Sequence, residues 1–302
     1  MQTVLISGGT GLIGSLLSKK LIQKGYEVTH LSRSKAENSK FKTYLWDYQT
    51  NYIDPEAIRN TDYIIHLAGA GVVDKKWTEN QKQIIIDSRV KTSTLILNEV
   101  RKQNKFIKAY ITASGVGYYG AINSEKIAIE EDENHNDFLG KVCLQWEQSA
   151  EPFKERGIRT VALRTGMVLS KNGGALAKLL PSFNLGLGSA IGSGKQYVPW
   201  IHIDDLCTMF LKAIEDEKLE GAYNAVAPEH VTNSIFSKTI AKILKKPFWF
   251  PKVPGFILKL VLGDMSVILL KGMRVSSKRI VDSGFIFSYP TLNKALIHLL
   301  NK

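Results

Sequence analysis

The chain has 302 residues, 44% of them hydrophobic and 23% charged, enough for one large α/β unit, alone or with a smaller companion, and too apolar for a disordered chain. Its formal charge of +12 is scattered over most predicted helices, with only short pairs such as Lys75-Lys76 and Lys245-Lys246 and no basic run interleaved with aromatics, so a solvated basic surface is expected and a nucleic-acid partner is not. Two cysteines, Cys143 and Cys207, stand far apart without a CxxC or Cys/His cluster, which argues against a disulfide framework or a zinc site and fits a reducing compartment.

The amino terminus, MQTVLISGGTG, runs from the initiator into a strand over 4–7 and leaves no room for a signal peptide, so a cytoplasmic protein is expected. Gly8, Gly9, Gly11 and Gly14 follow, and Leu12, Ile13, Leu16, Leu17 and Leu21 then recur at helical spacing until Gly25. Residues 27–31, a third strand before Trp46-Asp47, and the apolar runs 63–67, 109–112 and 160–163 read as further strands separated by helical patterns. Buried strands alternating with helices imply a doubly wound parallel sheet covered on both faces. After Thr165-Gly166 the texture changes: Asn172-Gly173-Gly174, Gly186, Gly188, Gly192 and Gly194 interrupt any regular element. The longest apolar stretch, 253–270, is broken by Gly255, Lys259, Gly263 and Asp264 and is a poor bilayer span, so no membrane partner is expected.

Gly9, Gly11 and Gly14 satisfy G-x-G-x-x-G in its required setting, after a strand and opening a helix, where backbone amides and the helix dipole face a pyrophosphate. The segment Gly8-Gly9-Thr10-Gly11-Leu12-Ile13-Gly14 is therefore expected to hold a dinucleotide. An NAD site should carry an acid about 20 residues further on, for the ribose 2′-hydroxyl. The second strand ends instead in Leu31-Ser32-Arg33-Ser34-Lys35, offering hydroxyls and cations to a 2′-phosphate, so NADP(H) is expected; the alternative leaves Arg33 as an ordinary exposed loop arginine. Asp47 is placed either to meet adenine or to close a turn, and Leu67, Ala68 and Gly69 let backbone approach the ribose and phosphates. These assignments give a Rossmann domain over 1–168, with about 198–228 returning to it, and a smaller, mainly substrate-binding α+β region over 169–302 with a distinct part at about 250–298.

Together with His66-Leu67-Ala68-Gly69, Ser114-Gly115-Val116-Gly117-Tyr118-Tyr119-Gly120 and Trp200-Ile201-His202-Ile203-Asp204-Asp205, the glycine turn resembles the extended short-chain dehydrogenases/reductases of the NAD-dependent epimerase/dehydratase family. Asp74-Lys75-Lys76-Trp77-Thr78, Leu163-Arg164-Thr165-Gly166 and the tail resemble, more narrowly and nearly end to end, an atypical subfamily of unassigned reaction with a DUF1731-like carboxy-terminal domain of unknown function. The resemblance implies an NADP(H)-dependent epimerase, dehydratase or reductase of a polar, nucleotide-linked metabolite, pairing as a homodimer through helices flanking the active site. It also implies an alternative, a non-catalytic NADP(H)-binding regulatory protein, since some relatives are linked to cell division.

Superfamily chemistry uses Tyr-x-x-x-Lys with an upstream Ser or Thr. Lys141 matches the lysine and Ser114 the hydroxyl residue, but Asp137 stands where the tyrosine belongs. A carboxyl, with an ordinary pKa of about 3.9 against about 10 for a phenol, is a poor proton donor at neutral pH unless burial raises it. Three readings follow: Tyr118 or Tyr119 replaces the phenol, unless both rings merely pack; Asp137 is a raised acid; or Asp137 caps the helix that carries Lys141, the reading preferred here. Arg164 and Thr165, ending a strand, are expected to touch cofactor or substrate, and Lys195 and Tyr197 are candidates for an anionic substrate. Alternation puts Trp200, His202 and Asp204 on one face, with His202 an interior hydrogen-bonded residue.

Overall fold

A computed structural model describes residues 1–34 and 40–301. Its strands are β1 (Thr3–Ser7), β2 (Glu27–Ser32), β3 (Lys42–Asp47), β4 (Tyr52–Ile53), β5 (Tyr63–His66), β6 (Ala109–Gly115), β7 (Ile127–Ala128), β8 (Arg159–Thr165), β9 (Met167–Leu169), β10 (Trp200–His202), β11 (Gly221–Ala225) and β12 (Arg274–Val275). Eight of them form one sheet in the order β11-β8-β6-β5-β1-β2-β3-β4, with every pairing parallel except β3 with β4. The reversal of strand order falls at β1, the strand that feeds the glycine turn. Ligands of open α/β sheets bind outside the carboxyl ends of the strands at that crevice.

Alternation along the central strands divides their apolar side chains between two cores. Val4, Ile6, Ile65 and Ile111 face one core, shared with the helices Leu12–Gln23 and Ile203–Glu215; Leu5, Ile64 and Tyr110 face the other, shared with the helix Glu79–Lys102. The expected doubly wound parallel sheet is thus present. β6 and β8 run three and two residues further than the apolar runs suggested, because Ser114 and Gly115 pair in register with Arg164 and Thr165.

A third core joins Trp200, Phe236, Leu292 and Leu296, so the terminal helix Leu292–Leu300 packs on the helix Asn233–Ile243. The chain re-enters the large sheet at β11, and β12 pairs with β7, which draws the tail back against the first half. Asp205 fastens that tail by accepting from the amides of Ser288 at 2.9 Å and Tyr289 at 3.0 Å. The alternation expected through Asp204 stops at His202: the helix Ile203–Glu215 begins there, and Trp200, Ile201 and His202 are all buried.

Candidate active site

The turn after β1 carries Gly8 at φ 76, backbone that side chains rarely adopt. Gly11 caps the helix Leu12–Gln23 with no side-chain bond to its first amides, and its own amide donates to the Gly8 carbonyl at 3.0 Å. A Cβ on Gly14 would lie 2.7 Å from the Gly9 Cα and closer still to the Gly8 carbonyl oxygen; one on Gly9 would lie 2.5 Å from Nε2 of His30. That ring cannot withdraw, since it is buried, stacks on Phe41 at 4.5 Å and bonds Ser18 Oγ at 2.8 Å. Thr10 is exposed, and Leu12 and Ile13 are partly buried against the core. Backbone can therefore approach an anion here with no side chain between, so a dinucleotide pyrophosphate fits the turn.

At the end of β2, Ser32 is half-buried, with its Oγ 3.4 Å from the Ser34 amide, and Arg33 is exposed. Lys35 lies outside the described residues. Asp47, ending β3, accepts from the Gln49 amide at 2.9 Å and from Thr50 Oγ1 at 3.2 Å, the turn role left open above. Beside the glycine turn, a Cβ on Gly8 would lie 3.0 Å from the Ala68 amide nitrogen, so the Leu67-Ala68-Gly69 backbone borders the same crevice.

Under that segment sits Arg89, which the sequence reading missed. It is only 7% exposed, its Nη1 donates to the carbonyls of Ala70 at 3.0 Å and Ile85 at 2.8 Å, and its guanidinium lies 4.7 Å from the Trp146 ring. A Cβ on Gly69 would lie 2.9 Å from its Cζ. No carboxylate pairs with it among the described residues, its Nε has no partner, and burial pulls its pKa down to about 10. His66 beside it bonds Ser7 Oγ at 2.6 Å through Nδ1, and burial pushes its pKa down to about 4, so the ring is neutral at pH 7.

The carboxyl ends of β6 and β8 carry a second buried cluster. Arg164, expected to touch cofactor or substrate, is 4% exposed and pairs with Glu147, its Nε 2.9 Å from Oε1 and its Nη2 2.9 Å from Oε2. Its Nη1 donates to the Tyr119 hydroxyl at 2.9 Å and the Glu130 carbonyl at 3.0 Å. Burial works against this cation, but the Glu147 carboxylate outweighs it and holds the guanidinium's pKa above its usual value. A cation on a buried strand needs an acid, and that requirement is the signal that could have singled out Glu147.

Ser114, only 5% exposed, donates its hydroxyl to Glu147 Oε1 at 2.6 Å. Its single proton is committed inward, leaving its lone pairs as acceptors. The Tyr119 hydroxyl donates to Asn224 Oδ1 at 2.7 Å, and burial pushes its pKa up to about 12, so its proton is held inward in this cluster. Tyr118 is different: its ring is half-buried and lies 3.5 Å from the Arg164 guanidinium, while its hydroxyl has no hydrogen-bond partner among the described residues.

Asp137 is the N-cap of the helix Phe138–Gln148, accepting from the Gly140 amide at 2.8 Å through Oδ1 and from the Ala121 amide at 2.8 Å through Oδ2. Lys141, a turn further on, is exposed. Lys195 is also exposed, and the Tyr197 ring lies 5.3 Å from the Arg274 guanidinium. His202 accepts from the Asp204 amide at 3.0 Å, meets His298 Nδ1 at 3.1 Å and stacks on Tyr289 at 3.8 Å, a structural role. His202, Asp204 and His298 each bring one nitrogen or oxygen within 4.8 Å of the others, and Asp204 pairs with Lys20 at 2.9 Å.

The profile of the NAD dependent epimerase/dehydratase family matches residues 4–226, the sheet and both clusters. The chain belongs to this family. A domain of unknown function, DUF1731, matches residues 253–299. Among curated members, the chain is 34% identical to epimerase family protein YfhF of Bacillus subtilis over 99% of this chain and 98% of that one. It is 33% identical to human epimerase family protein SDR39U1, covering 97% and 98%. The crystal structure of that human protein with NADPH superposes with a TM-score of 0.87 at 31% identity, covering 99% of both chains. A nucleoside-diphosphate sugar epimerase from Corynebacterium glutamicum superposes at 0.80 and 29% identity, covering 99% of this chain and 58% of that one. UDP-glucuronic acid 4-epimerase from Bacillus cereus, at 18% identity and 0.80, shares the fold.

Proposed function

We propose that this family member binds NADP(H) in the glycine turn and carries out hydride chemistry on a polar, nucleotide-linked metabolite in the crevice above β6 and β8. The observation that carries the cofactor reading is the turn itself, where the missing Cβ atoms of Gly9 and Gly14 leave room that no other residue could leave. The lack of an acid from Ser32 to Ser34, with Arg33 exposed, supports a 2′-phosphate. The human relative's structure with NADPH supports the same choice.

A nicotinamide dinucleotide supplies the acceptor or donor of the hydride. Of the groups expected to handle the proton, Asp137 holds its helix and Ser114 donates its hydroxyl to a hydrogen bond with Glu147, so Tyr118 is the hydroxyl left for the task. Arg164 lies against its ring as a cation–π partner and holds it at the strand ends, and Lys141 is the cation available to the ribose. The engagement of Asp137 and Ser114 also favours a second reading, a regulatory protein that binds the dinucleotide without turnover.

Titrating purified protein with NADPH and NADH tests the cofactor; equal affinities would overturn the 2′-phosphate pocket. Following NADPH absorbance against carbonyl compounds and nucleotide sugars tests the reaction. Turnover that Lys141→Ala and Tyr118→Phe abolish supports the enzyme, whereas tight binding with no turnover on any compound supports the regulator.

A further inference from the structure

The stretch that failed as a bilayer span forms the least buried apolar element of the described chain. No helix among the described residues is long and apolar enough to cross a membrane. The helix Gly255–Leu262 buries none of its eight residues. Gly255, Leu258 and Leu262, spaced along one side, are the partly covered ones. The opposite side presents Phe256 at 72%, Leu260 at 82%, Ile257 at 41% and Val261 at 57% exposure, two pairs at the i, i+4 spacing of neighbours on a helix surface. Trp249, 72% exposed and 5.5 Å from the Phe250 ring, precedes it, and pairing of Val253 with Ile191 anchors the segment to the body.

Charge distinguishes the occupants of such a face. From Lys245 to Lys271 the chain carries five lysines and one acid, Asp264. None of the five enters an ion pair among the described residues. A second copy would bring the same cations against them, and like charges at close range oppose that association. An anionic lipid surface is complementary to both features: it takes the lysines at the headgroups and Phe256, Leu260 and Trp249 at the acyl boundary, as interfacial helices do. We propose that the helix Gly255–Leu262, with Trp249 and its flanking lysines, docks this protein peripherally on anionic membrane surfaces.

Co-sedimentation with vesicles tests this directly, using pure phosphatidylcholine and a mixture with phosphatidylglycerol. Binding is expected to the anionic vesicles, to fall at least tenfold on raising the salt from about 0.05 to 0.5 M, and to be lost in Phe256→Ser/Leu260→Ser. Because those side chains are exposed, the variant should keep the wild-type thermal midpoint and NADPH titration, which separates this test from the cofactor reading. Tryptophan emission should shift to the blue on binding, and not in Trp249→Tyr. Failure to bind anionic vesicles would overturn the proposal, and so would concentration-dependent dimerisation that Leu260→Ser abolishes, the signature of a second copy on this face.

Discussion

Glu147 and Arg164 face one another as a two-point ion pair, with Nε to Oε1 and Nη2 to Oε2 both at 2.9 Å, roofed by the Ser114 hydroxyl on the same carboxylate. Removing one partner leaves a buried charge uncompensated, which costs about 3–5 kcal/mol. Glu147→Ala should therefore lower the urea midpoint severely with an unchanged m value. Glu147→Leu/Arg164→Met should recover much of the loss. Equal destabilisation by the single and double variants would show that the pair is not the source.

Arg33 and Arg89 should affect cofactor binding in different ways. On the proposed NADP(H) reading Arg33 meets the 2′-phosphate, so Arg33→Ala should weaken NADPH by about 10- to 100-fold, the worth of one charge-assisted contact, and leave NADH unchanged. Parallel calorimetric titrations measure the difference.

Arg89 lies under the Ala68–Ala70 backbone, which on the proposed reading borders the part common to both dinucleotides. Arg89→Met removes the bond to the Ala70 carbonyl and the buried cation facing that segment. Loss of about tenfold or more is expected for NADPH and NADH alike, on the scale of one lost charged hydrogen bond. A loss confined to NADPH would contradict this placement.

Gly14→Ala would press a methyl into the Gly8-Gly9 backbone, which cannot yield as a side chain could. The helix must then separate from the turn, so dinucleotide binding should fall below detection while far-ultraviolet circular dichroism stays close to wild type. Gly25→Ala serves as a contrast: it meets nothing within 4 Å, although its φ of 87 makes it strained, so it should lower stability and spare binding.

Acid should loosen the fold through His66. Its folded pKa of about 4 lies below its ordinary 6.5, so the unfolded chain takes up the proton first as pH falls. Its contribution is complete above pH 6.5, shrinks between 6.5 and 4, and amounts to about 3 kcal/mol. Urea unfolding of wild type and His66→Gln at pH 7, 5.5 and 4.5 should show a shallower acid decline in the variant. His30 and His202, also pushed down to about 4 by burial, add to the wild-type slope in the same direction.

The local order of the chain was legible because it rests on short-range rules: β-branched runs bounded by glycine make strands, helical spacing makes the crossovers, and G-x-G-x-x-G between them makes the turn. Asp137 as a cap was readable for the same reason, since its partner amide at Gly140 is three residues away. What only the tertiary structure decided concerns partners distant in sequence. Arg164 finds Glu147 17 residues back, Tyr119 meets Asn224 105 residues on, and His202 meets His298 96 residues on. Sequence spacing says nothing of direction, so the carboxylate that Arg164 points to could not be read from its place at a strand end. The same limit hid Arg89, whose burial under Gly69 follows from how a helix packs across the sheet. The glycine turn and the lack of an acid from Ser32 to Ser34 belong to the sequence; which hydroxyl remains free above them depends on which buried groups have already been paired.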